Sequence, residues 1–288
     1  MSKKAYVFPG QGSQFSGMGK ELYDSNDEAK VLFKKADEVL GFEISKIMFE
    51  GTEEELKQTS ITQPAIFIHS VITAFTLENF EPDAVAGHSL GEFSALVAAG
   101  ALSFEDGLLL VQARANAMQK ACDGEPSTMA AILRFDDEKI ETICKEVSAD
   151  LGEIVVPANY NTIGQVVISG SEKAVDEAMQ RMTDAGALKV VKLNVNGAFH
   201  SPFMESARAD LAAKIDEVVF NEPICPIYQN VVAEAVTDID IIKVNLIAQL
   251  TSPVKWTQSI QKMKAEGFEA FEELGPGKVL SGLIRKVR

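Results

Sequence analysis

The sequence predicts an α/β fold: a large hydrolase-like domain with a mostly parallel sheet, and a small inserted domain of the ferredoxin-like order βαββαβ. Two observations support this prediction. In the N-terminal part, an apolar run, a glycine turn and a helical pattern follow one another twice, which is typical of a parallel sheet covered on both faces. Between residues 126 and 195, strand-like and helical patterns follow the order of the split βαβ motif.

The large domain is predicted to comprise residues 1–125 and 196–288, and the inserted domain residues 126–195. The large domain is expected to have strands over residues 5–8 and 83–86, and helices from near Met18 and over residues 63–77, 92–99 and 105–120. The inserted domain is expected to have strands over residues 129–133, 154–158, 165–169 and 189–195, and helices over residues 137–148 and 173–185.

The composition limits the classes of function. The chain has 288 residues, a formal net charge of −15, 46% hydrophobic residues and 24% charged residues, as in ordinary globular proteins. The excess of acidic residues argues against binding to nucleic acid or to an anionic membrane, because both need clustered basic side chains. A small acidic ligand would therefore need a local cation.

The three cysteines indicate a reducing environment. Cys122, Cys144 and Cys225 lie far apart and form no Cys-x-x-Cys pair, so the sequence suggests neither a disulfide framework nor a cysteine zinc site. No export signal and no apolar stretch of membrane-spanning length is recognisable. We therefore expect a cytoplasmic protein.

The segment Gly87-His-Ser-Leu-Gly91 fits the pattern G-x-S-x-G between a strand and a helix. In such a turn the hydroxyl of Ser89 would project from the sheet as a nucleophile. The backbone N–H of Leu90 would help to stabilise an oxyanion. The alternative is a glycine-rich turn without catalysis, which is common between strands and helices.

A serine nucleophile needs a base, and the chain has only three histidines. His69 has apolar neighbours on both sides, which favours a core histidine, and the side chain of His88 should diverge from that of the adjacent Ser89. His200 lies in a loop bounded by glycine and proline, where catalytic groups often occur, although it could be a plain surface histidine. Elimination favours His200 as the base. No carboxylate suggests itself as the third member, and a backbone carbonyl could orient the imidazole.

Arg114 is the most informative charged residue. On a helix, its neighbours three and four residues away are Leu110, Val111, Ala117 and Met118, so its guanidinium emerges from an apolar stripe. One possibility is an internal Asp or Glu partner, as for most buried charges. The other is a planar fork that binds a substrate carboxylate with two hydrogen bonds.

The segment Phe8-Pro-Gly-Gln-Gly-Ser-Gln14 resembles a nucleotide-binding loop only superficially. The third glycine of G-x-G-x-x-G would fall on Phe15, and no G-x-x-x-x-G-K-S/T occurs, so we expect neither NAD nor ATP. The glycines would let the N–H of Gln11 approach a ligand as a second oxyanion donor. A plain tight turn is equally compatible with the pattern.

These segments together resemble the malonyl-CoA:acyl carrier protein transacylases of fatty acid synthesis and the acyltransferase domains of polyketide synthases. The resemblance runs nearly from end to end. It includes residues 8–14, Thr62-Gln-Pro-Ala65, Gly87-His-Ser-Leu-Gly-Glu92, Gln112-Ala-Arg114, Gln165-Val-Val-Ile-Ser-Gly170, Gly197-Ala-Phe-His-Ser-Pro202, Gln249-Leu250, Pro253-Val-Lys-Trp256 and Glu273-Leu-Gly-Pro-Gly277.

The resemblance implies Ser89 as nucleophile, His200 as base, and the N–H groups of Gln11 and Leu90 as the oxyanion hole. It further implies that Arg114 binds the malonyl carboxylate and that the main-chain carbonyl of Gln249 orients His200. Leu90 and Phe199 look like the malonyl-selecting variants of the family. Residue 115 is alanine where the family often has glycine, and residues 121–128 and Arg134 also depart from the pattern.

The implied reaction transfers a malonyl group from malonyl-CoA to the phosphopantetheine thiol of acyl carrier protein, without a metal or other cofactor. Two other classes remain open: a serine esterase or thioesterase of similar fold, and a non-enzymatic binding subunit. A polyketide-type acyltransferase is the variant within the family. We expect a monomer whose carrier protein docks near the basic segments 189–192 or 285–288.

Overall fold

A computed structural model of the chain describes residues 3–124, 126–195 and 197–287. The predicted domain boundaries at residues 125 and 196 lie outside the described residues, as do residues 1, 2 and 288. None of the helices within the described ranges is long and apolar enough to cross a membrane.

The N-terminal part contains two strands and seven helices in its described residues. They are β1 (Lys3–Phe8), α1 (Lys20–Ser25), α2 (Asp27–Leu40), α3 (Ile44–Glu50), α4 (Glu53–Lys57), α5 (Thr59–Phe75), β2 (Ala84–Gly87), α6 (Gly91–Ala98) and α7 (Phe104–Cys122). The expected strands and the helices after residue 60 are confirmed to within a few residues. The first helix begins at Lys20 rather than Met18, because Gly17 and Gly19 on either side of Met18 have φ of 92° and 84°.

Residues 127–192 form a second sheet with two helices. The elements are β3 (Ser127–Leu133), α8 (Asp137–Leu151), β4 (Val155–Thr162), β5 (Gln165–Ser171), α9 (Glu172–Asp184) and β6 (Lys189–Lys192). The strand order is β4-β5-β3-β6, and all three pairings are antiparallel. One face of this sheet packs against α8 and α9, where Ala130, Ile132, Val166 and Ile168 are fully buried. The opposite face points toward the first sheet.

The remaining residues return to the first sheet. A 3₁₀ turn over Pro202–Met204 is followed by α10 (Glu205–Asp216), β7 (Ile227–Gln229), β8 (Glu234–Val236), α11 (Ile239–Gln249), α12 (Trp256–Ala265), β9 (Phe268–Glu273) and α13 (Val279–Ile284). The strand order is β8-β7-β2-β1-β9, and only the pair β7/β8 is antiparallel. The predicted mostly parallel sheet is therefore confirmed.

Alternate residues of β1 point to different faces of this sheet. Tyr6 and Phe8 belong to the apolar cluster on one face, and Ala5 and Val7 to the cluster on the other. Burial on both faces explains why the strands are almost continuously apolar. It also explains why the sequence shows a short apolar run rather than a clean alternation.

Two loops begin side by side at the carboxyl end of the sheet. Phe8 pairs with Gly87 at the ends of β1 and β2, so residues 9–12 and 88–90 leave the sheet at neighbouring points. Ligands of parallel α/β sheets bind at this end, outside the last residues of the strands.

The second sheet is attached to the first unit through β4. The N–H of Tyr160 donates to the carbonyl of Val254 over 2.9 Å, and the N–H of Val254 donates to the carbonyl of Ala158 over 2.8 Å. The hydroxyl of Thr257 also donates to the carbonyl of Tyr160 over 3.0 Å. These bonds hold β4 beside the segment that leads into α12.

Candidate active site

Ser89 lies in a strained turn between β2 and α6. Its φ is 52°, in the left-handed region that non-glycine residues rarely occupy. The turn is held by two hydrogen bonds: the N–H of His88 donates to the carbonyl of Phe8 over 3.0 Å, and the N–H of Ser89 donates to Oδ1 of Asn230 over 2.7 Å. Gly91 is required here because a Cβ would overlap the carbonyl oxygen of Phe8. The observed geometry is that of the predicted elbow.

His200 is buried and faces the serine. Its Nε2 lies 2.8 Å from Ser89 Oγ, and its Nδ1 lies 2.8 Å from the main-chain carbonyl oxygen of Gln249. Because a carbonyl oxygen only accepts hydrogen bonds, Nδ1 carries the proton and the lone pair of Nε2 faces the serine hydroxyl. Burial, helped by the nearby Arg114 cation, lowers the pKa of His200 to about 3. The imidazole is therefore neutral at neutral pH and able to accept a proton.

The other two histidines lie elsewhere. His69 on α5 contacts Thr73, with Nδ1 3.3 Å from the threonine hydroxyl, and burial lowers its pKa to about 4. The ring of His88 lies at the rim of the same turn as Ser89, but its Nε2 is 2.8 Å from Oδ1 of Asn161. Of the three histidines, only His200 contacts the hydroxyl of Ser89.

Arg114 reaches the same serine from α7. Its Nη2 donates to Ser89 Oγ over 3.0 Å and to Oε1 of Gln249 over 3.1 Å, and its Nη1 donates to Oε1 of Gln63 over 2.6 Å. Only 1% of the residue is exposed. Burial lowers the pKa of the guanidinium to about 10, so it remains charged at neutral pH.

The partners of Arg114 are amides and a hydroxyl rather than a carboxylate. No Asp or Glu within salt-bridge distance of Arg114 is present in the part of the chain that the structure describes. Its buried Nε also has no acceptor among those residues. The internal ion pair considered above is thus not formed, and a donor of the guanidinium remains free for a ligand.

Glu92 lies one turn after the elbow and is fully buried. It accepts hydrogen bonds from Nε2 of Gln229 over 2.9 Å, from the N–H of Asn230 over 3.1 Å, and from Nε2 of Gln249 over 2.7 Å. Burial raises the pKa of Glu92 to about 7, although these three donors and Arg114 favour the ionised form. The carboxylate is therefore the centre of a buried polar network behind the serine.

The predicted oxyanion donors, Gln11 and Leu90, lie beside Ser89. Gln11 and Leu90 line the same cavity as Ser89, and Gly10 lies so close to the carbonyl of His88 that a Cβ would approach it to 2.5 Å. The N–H groups of Gln11 and Leu90 have no acceptor within the described ranges. Both are free to donate to a ligand atom.

The elbow, His200, Arg114 and the predicted oxyanion donors open into one cavity of about 690 Å³ between the two sheets. The first unit contributes the elbow, His200, Arg114 and the loop of Gln11. The second sheet contributes, from the face opposite its helices, Met129, Asn159, Asn161 and Val167, followed by Leu193 after β6. The cavity is large enough for an extended small ligand that enters between the sheets.

A model of the family described as "acyl transferase domain" matches residues 5–287. The chain belongs to this acyl transferase family. Among family members with curated names, the malonyl CoA-acyl carrier protein transacylase of Bacillus subtilis (strain 168) is 46% identical over 289 residues, covering 100% of this chain and 91% of the relative.

Solved structures of acyl transferases are similar over the same length. An acyl carrier protein S-malonyltransferase from Vibrio cholerae superposes with a TM-score of 0.94 at 42% identity, covering 99% of this chain and 94% of the other. A malonyl-transacylase in complex with a type II polyketide acyl-carrier protein superposes with a TM-score of 0.95 at 37% identity, covering 99% and 93%. The mixed α/β fold with its parallel sheet is thus that of known acyl transferases.

Every residue proposed for the acyl transferase site from the sequence lies at this cavity or directly behind it. Ser89, His200, Arg114, Gln11 and Leu90 line the cavity, and Gln249 lies behind Ser89, His200 and Arg114. Among the departures from the family pattern, Ala115 is fully buried on α7 and Arg134, after β3, has φ of 54°. Neither lines the cavity.

Three polar residues that surround Ser89 and Arg114 were not identified from the sequence. Gln63 and Glu92 lie in segments that resemble the family, but no role was assigned to them. Asn230 follows a buried strand, and no sequence pattern distinguishes it. The sequence could have indicated a role for Glu92, because it is the only charged residue of α6. A single carboxylate on such a helix is buried and needs several donors.

Proposed function

We propose that this chain transfers a malonyl group from malonyl-CoA to the phosphopantetheine thiol of an acyl carrier protein, through a malonyl ester of Ser89. One observation carries the proposal: the hydroxyl oxygen of Ser89 is 2.8 Å from the neutral nitrogen of His200 and 3.0 Å from the Arg114 guanidinium. A base for the nucleophile and a cation for an anionic acyl group thus meet at one atom. The names of the Bacillus and Vibrio relatives support the same reaction.

In the first step, Nε2 of His200 accepts the proton of Ser89 as Oγ attacks the thioester carbonyl. The carbonyl oxygen becomes an oxyanion that the N–H groups of Gln11 and Leu90 stabilise. The C–S bond then breaks, and the CoA thiolate leaves with the proton held by His200. The bond between Nδ1 and the carbonyl of Gln249 keeps the imidazole in the tautomer that this step needs.

In the second step, the thiol of the carrier's phosphopantetheine arm gives its proton to His200 and attacks the malonyl ester. The same two N–H groups hold the second oxyanion. Its collapse breaks the bond to Ser89 Oγ, which recovers the proton from His200. This acyl exchange needs neither a metal nor a redox cofactor, because a nucleophile, a base and hydrogen-bond donors suffice.

Arg114 selects the acyl group in this proposal. A malonyl carboxylate would take the donors of the guanidinium that the protein leaves free, and a bidentate pair would orient the acyl group. An acetyl group would leave the cation buried without an anionic partner, which is unfavourable. A general esterase has no use for such a cation, so Arg114 favours the transferase over the hydrolase.

The second sheet has a role in the same proposal. We infer that residues 126–195 form the ferredoxin-like small domain, since the element order and the strand order β4-β5-β3-β6 fit the split βαβ motif. Its face without helices would close the cavity over the pantetheine arm. One chain supplies both walls of the site, which fits a monomeric enzyme.

The proposal is tested by intact mass spectrometry after mixing the protein with malonyl-CoA alone. We expect one malonyl adduct on the wild type and none on Ser89→Ala. Ser94→Ala is the matched control, because Ser94 is a buried serine of α6, the helix that follows the turn of Ser89, and does not line the cavity. Addition of carrier protein should then remove the adduct. No adduct on folded wild-type protein would contradict the proposal, and steady release of malonate without an acceptor thiol would indicate a hydrolase.

A further inference from the structure

We propose that Glu92 is a positioning residue for acyl selection: through the side-chain amide of Gln249, it fixes the direction of the Arg114 guanidinium. This inference rests on the function proposed above. Glu92 itself does not line the cavity and makes no hydrogen bond to Arg114. The two groups attract each other through their charges, but this attraction involves no directed contact, so an effect of Glu92 on the direction of the guanidinium must pass through a neighbour.

The neighbour is the amide of Gln249, which lies between the carboxylate and the guanidinium. Its Nε2 donates to Oε2 of Glu92 over 2.7 Å, to the carbonyl of Ser89 over 3.1 Å and, most weakly, to Oδ1 of Asn230 over 3.3 Å. With both amide hydrogens directed to these acceptors, Oε1 is directed to the other side, where Nη2 of Arg114 donates to it over 3.1 Å. The orientation of the amide thus follows from the acceptors on its NH₂ side.

Glu92 is the strongest of these acceptors, because it makes the shortest bond and is charged in the ionised form that its donors favour. Without Glu92, the NH₂ group would keep only its longer bonds to the carbonyl of Ser89 and to Oδ1 of Asn230, so the Gln249 amide would be held less firmly. The bond from Nη2 of Arg114 to Oε1, one of the three anchors of the guanidinium, would weaken with it. Even a small displacement of the guanidinium would weaken its two hydrogen bonds to a malonyl carboxylate.

The same change should leave the nucleophile and base in place. His200 is oriented by the main-chain carbonyl of Gln249, and a rotation of the side-chain amide does not move that carbonyl. Ser89 is held through its N–H by Oδ1 of Asn230, and the side chain of Asn230 is fixed by its own bond to the carbonyl of Gly87 over 2.6 Å, which does not involve Glu92. A loss of Glu92 should therefore affect malonyl transfer more than transfer of an uncharged acyl group.

The burial of Glu92 supports a specific role for its carboxyl group. A carboxylate without exposed surface is costly, and an apolar residue of similar size would pack in α6 at a lower cost. All three of its partners are donors, and none of those bonds is made to an element of the second sheet. The carboxyl group of Glu92 therefore organises only residues on the side of the cavity that carries Ser89.

The test compares acylation by malonyl-CoA and by acetyl-CoA in Glu92→Met and Glu92→Gln. Met offers no acceptor, whereas Gln offers one oxygen to three donors, so Glu92→Gln should lie between the wild type and Glu92→Met. In Glu92→Met we expect the ratio of malonyl to acetyl kcat/KM to fall about tenfold or more, the effect of one hydrogen bond to a charged group. The fall should appear in the malonyl value, with the acetyl value close to that of the wild type.

Asn245→Leu is the matched control. Asn245 donates to Oε1 of Gln229 over 2.8 Å, so it belongs to the same buried network, but among the described residues its side chain makes no hydrogen bond to the side chain of Gln249 or to Arg114. It should lower the melting temperature without changing the ratio. Glu92→Gln, which keeps the size of the side chain, carries the test if Glu92→Met does not fold.

A second measurement separates this inference from the proposed function. Crystal structures of the folded variants should show Nη2 of Arg114 displaced from Ser89 Oγ and from the Gln249 side chain. If wild-type protein forms no malonyl adduct, the proposed function fails, and these structures still decide whether Glu92 positions Arg114. An unmoved guanidinium, an equal loss with both substrates, or the same change of ratio in Asn245→Leu would overturn the inference. A higher ratio would also overturn it, because Glu92 would then act only as a counter-charge.

Discussion

At the scale of the residue, the two candidate catalytic side chains both lie on strained backbone. Ser89 and His200 have φ of 52° and 56°, a conformation that costs a non-glycine residue about 1–3 kcal/mol. Neighbouring hydrogen bonds hold this strain: Asn230 binds the N–H of Ser89, and the hydroxyl of Ser201 donates to the carbonyl of Ala198 over 2.6 Å. These two supported conformations place Oγ of Ser89 and Nε2 of His200 within hydrogen-bond distance of each other.

Arg114→Met is expected to reverse the order of acyl substrates. The guanidinium is buried in an apolar stripe of α7, so methionine can occupy the space while the charge is lost. Removing one partner of a buried charge pair costs about 2–5 kcal/mol, so acylation by malonyl-CoA should fall by at least about thirtyfold. Acylation by acetyl-CoA should be retained or rise.

The measurement is the rate of adduct formation with each acyl-CoA at limiting concentrations. Arg208→Met is the control, because that arginine is exposed on α10 and pairs with Glu205. Unaltered malonyl transfer by Arg114→Met would contradict the assigned role of Arg114.

At the scale of the element, the site depends on how closely α6 approaches the end of β1. A Cβ on Gly91 would overlap the carbonyl oxygen of Phe8, and a Cβ on Gly87 would overlap the backbone of Gly91. Main-chain atoms on both sides leave no room for relaxation. The glycines of G-x-S-x-G are therefore packing residues between a strand and a helix, besides forming the turn that carries Ser89.

Gly91→Ala should destabilise the fold, whereas Gly282→Ala should not. The clash of the new methyl group with β1 should lower the free energy of unfolding by at least about 1–3 kcal/mol. Gly282 lies in α13 with no heavy atom within 4 Å of an added Cβ, so alanine there should raise stability by about 0.5–1 kcal/mol. Urea unfolding of both variants is the measurement. Equal stabilities would contradict the close approach of α6 and β1.

At the scale of the whole molecule, the charge of −15 and the buried cation act over different ranges. Surface charges are screened within about 8–10 Å at physiological ionic strength. Arg114 is buried at the cavity between the two sheets, within hydrogen-bond distance of Ser89. An acidic protein can therefore bind an anionic acyl group at one point, while its surface is unsuited to nucleic acid.

Stability should fall as the pH decreases from about 7 to about 5.5. Burial lowers the pKa of His69 to about 4, that of His200 to about 3, and that of His88 as well, each from 6.5. Below pH 6.5 the unfolded chain therefore binds protons that the folded chain excludes, so stability present above this value is lost on acidification. Glu92 opposes this trend: its pKa is raised to about 7, so its contribution is present at low pH and lost as the pH rises through 7.

The three histidines outweigh the single carboxyl group. Near pH 5.5, unfolding should take up about two protons, a slope of roughly 2.5 kcal/mol per pH unit. Urea unfolding at several pH values measures this slope. His69→Gln should reduce the proton uptake on unfolding by about one, and the slope in proportion, without affecting the catalytic residues. Higher stability at pH 5.5 than at pH 7 would contradict the prediction.

The sequence was sufficient for the parallel sheet, for the elbow and for the pairing of Ser89 with His200. Those conclusions depend on local patterns: a short apolar run before G-x-S-x-G, and only three histidines from which to choose. Arg114 was also recognisable, because an apolar helix stripe makes a single charge conspicuous. The helices over residues 27–57 were not assigned. The helix expected from near Met18 begins at Lys20, and its exact start depends on the conformation of Gly19, which is not visible in residue identity.

By itself, the sequence determined which residues can react, since nucleophilicity, basicity and charge belong to side-chain chemistry. Only the tertiary structure decided which groups meet. Glu92, Asn230 and Gln249 lie up to 157 residues apart in sequence, yet they form one network behind the serine. Only the fold, too, left Arg114 without a carboxylate partner among the residues that the structure describes, and with a free donor at the cavity. Such juxtapositions arise when distant strands and helices pack against one sheet, and no local pattern encodes them.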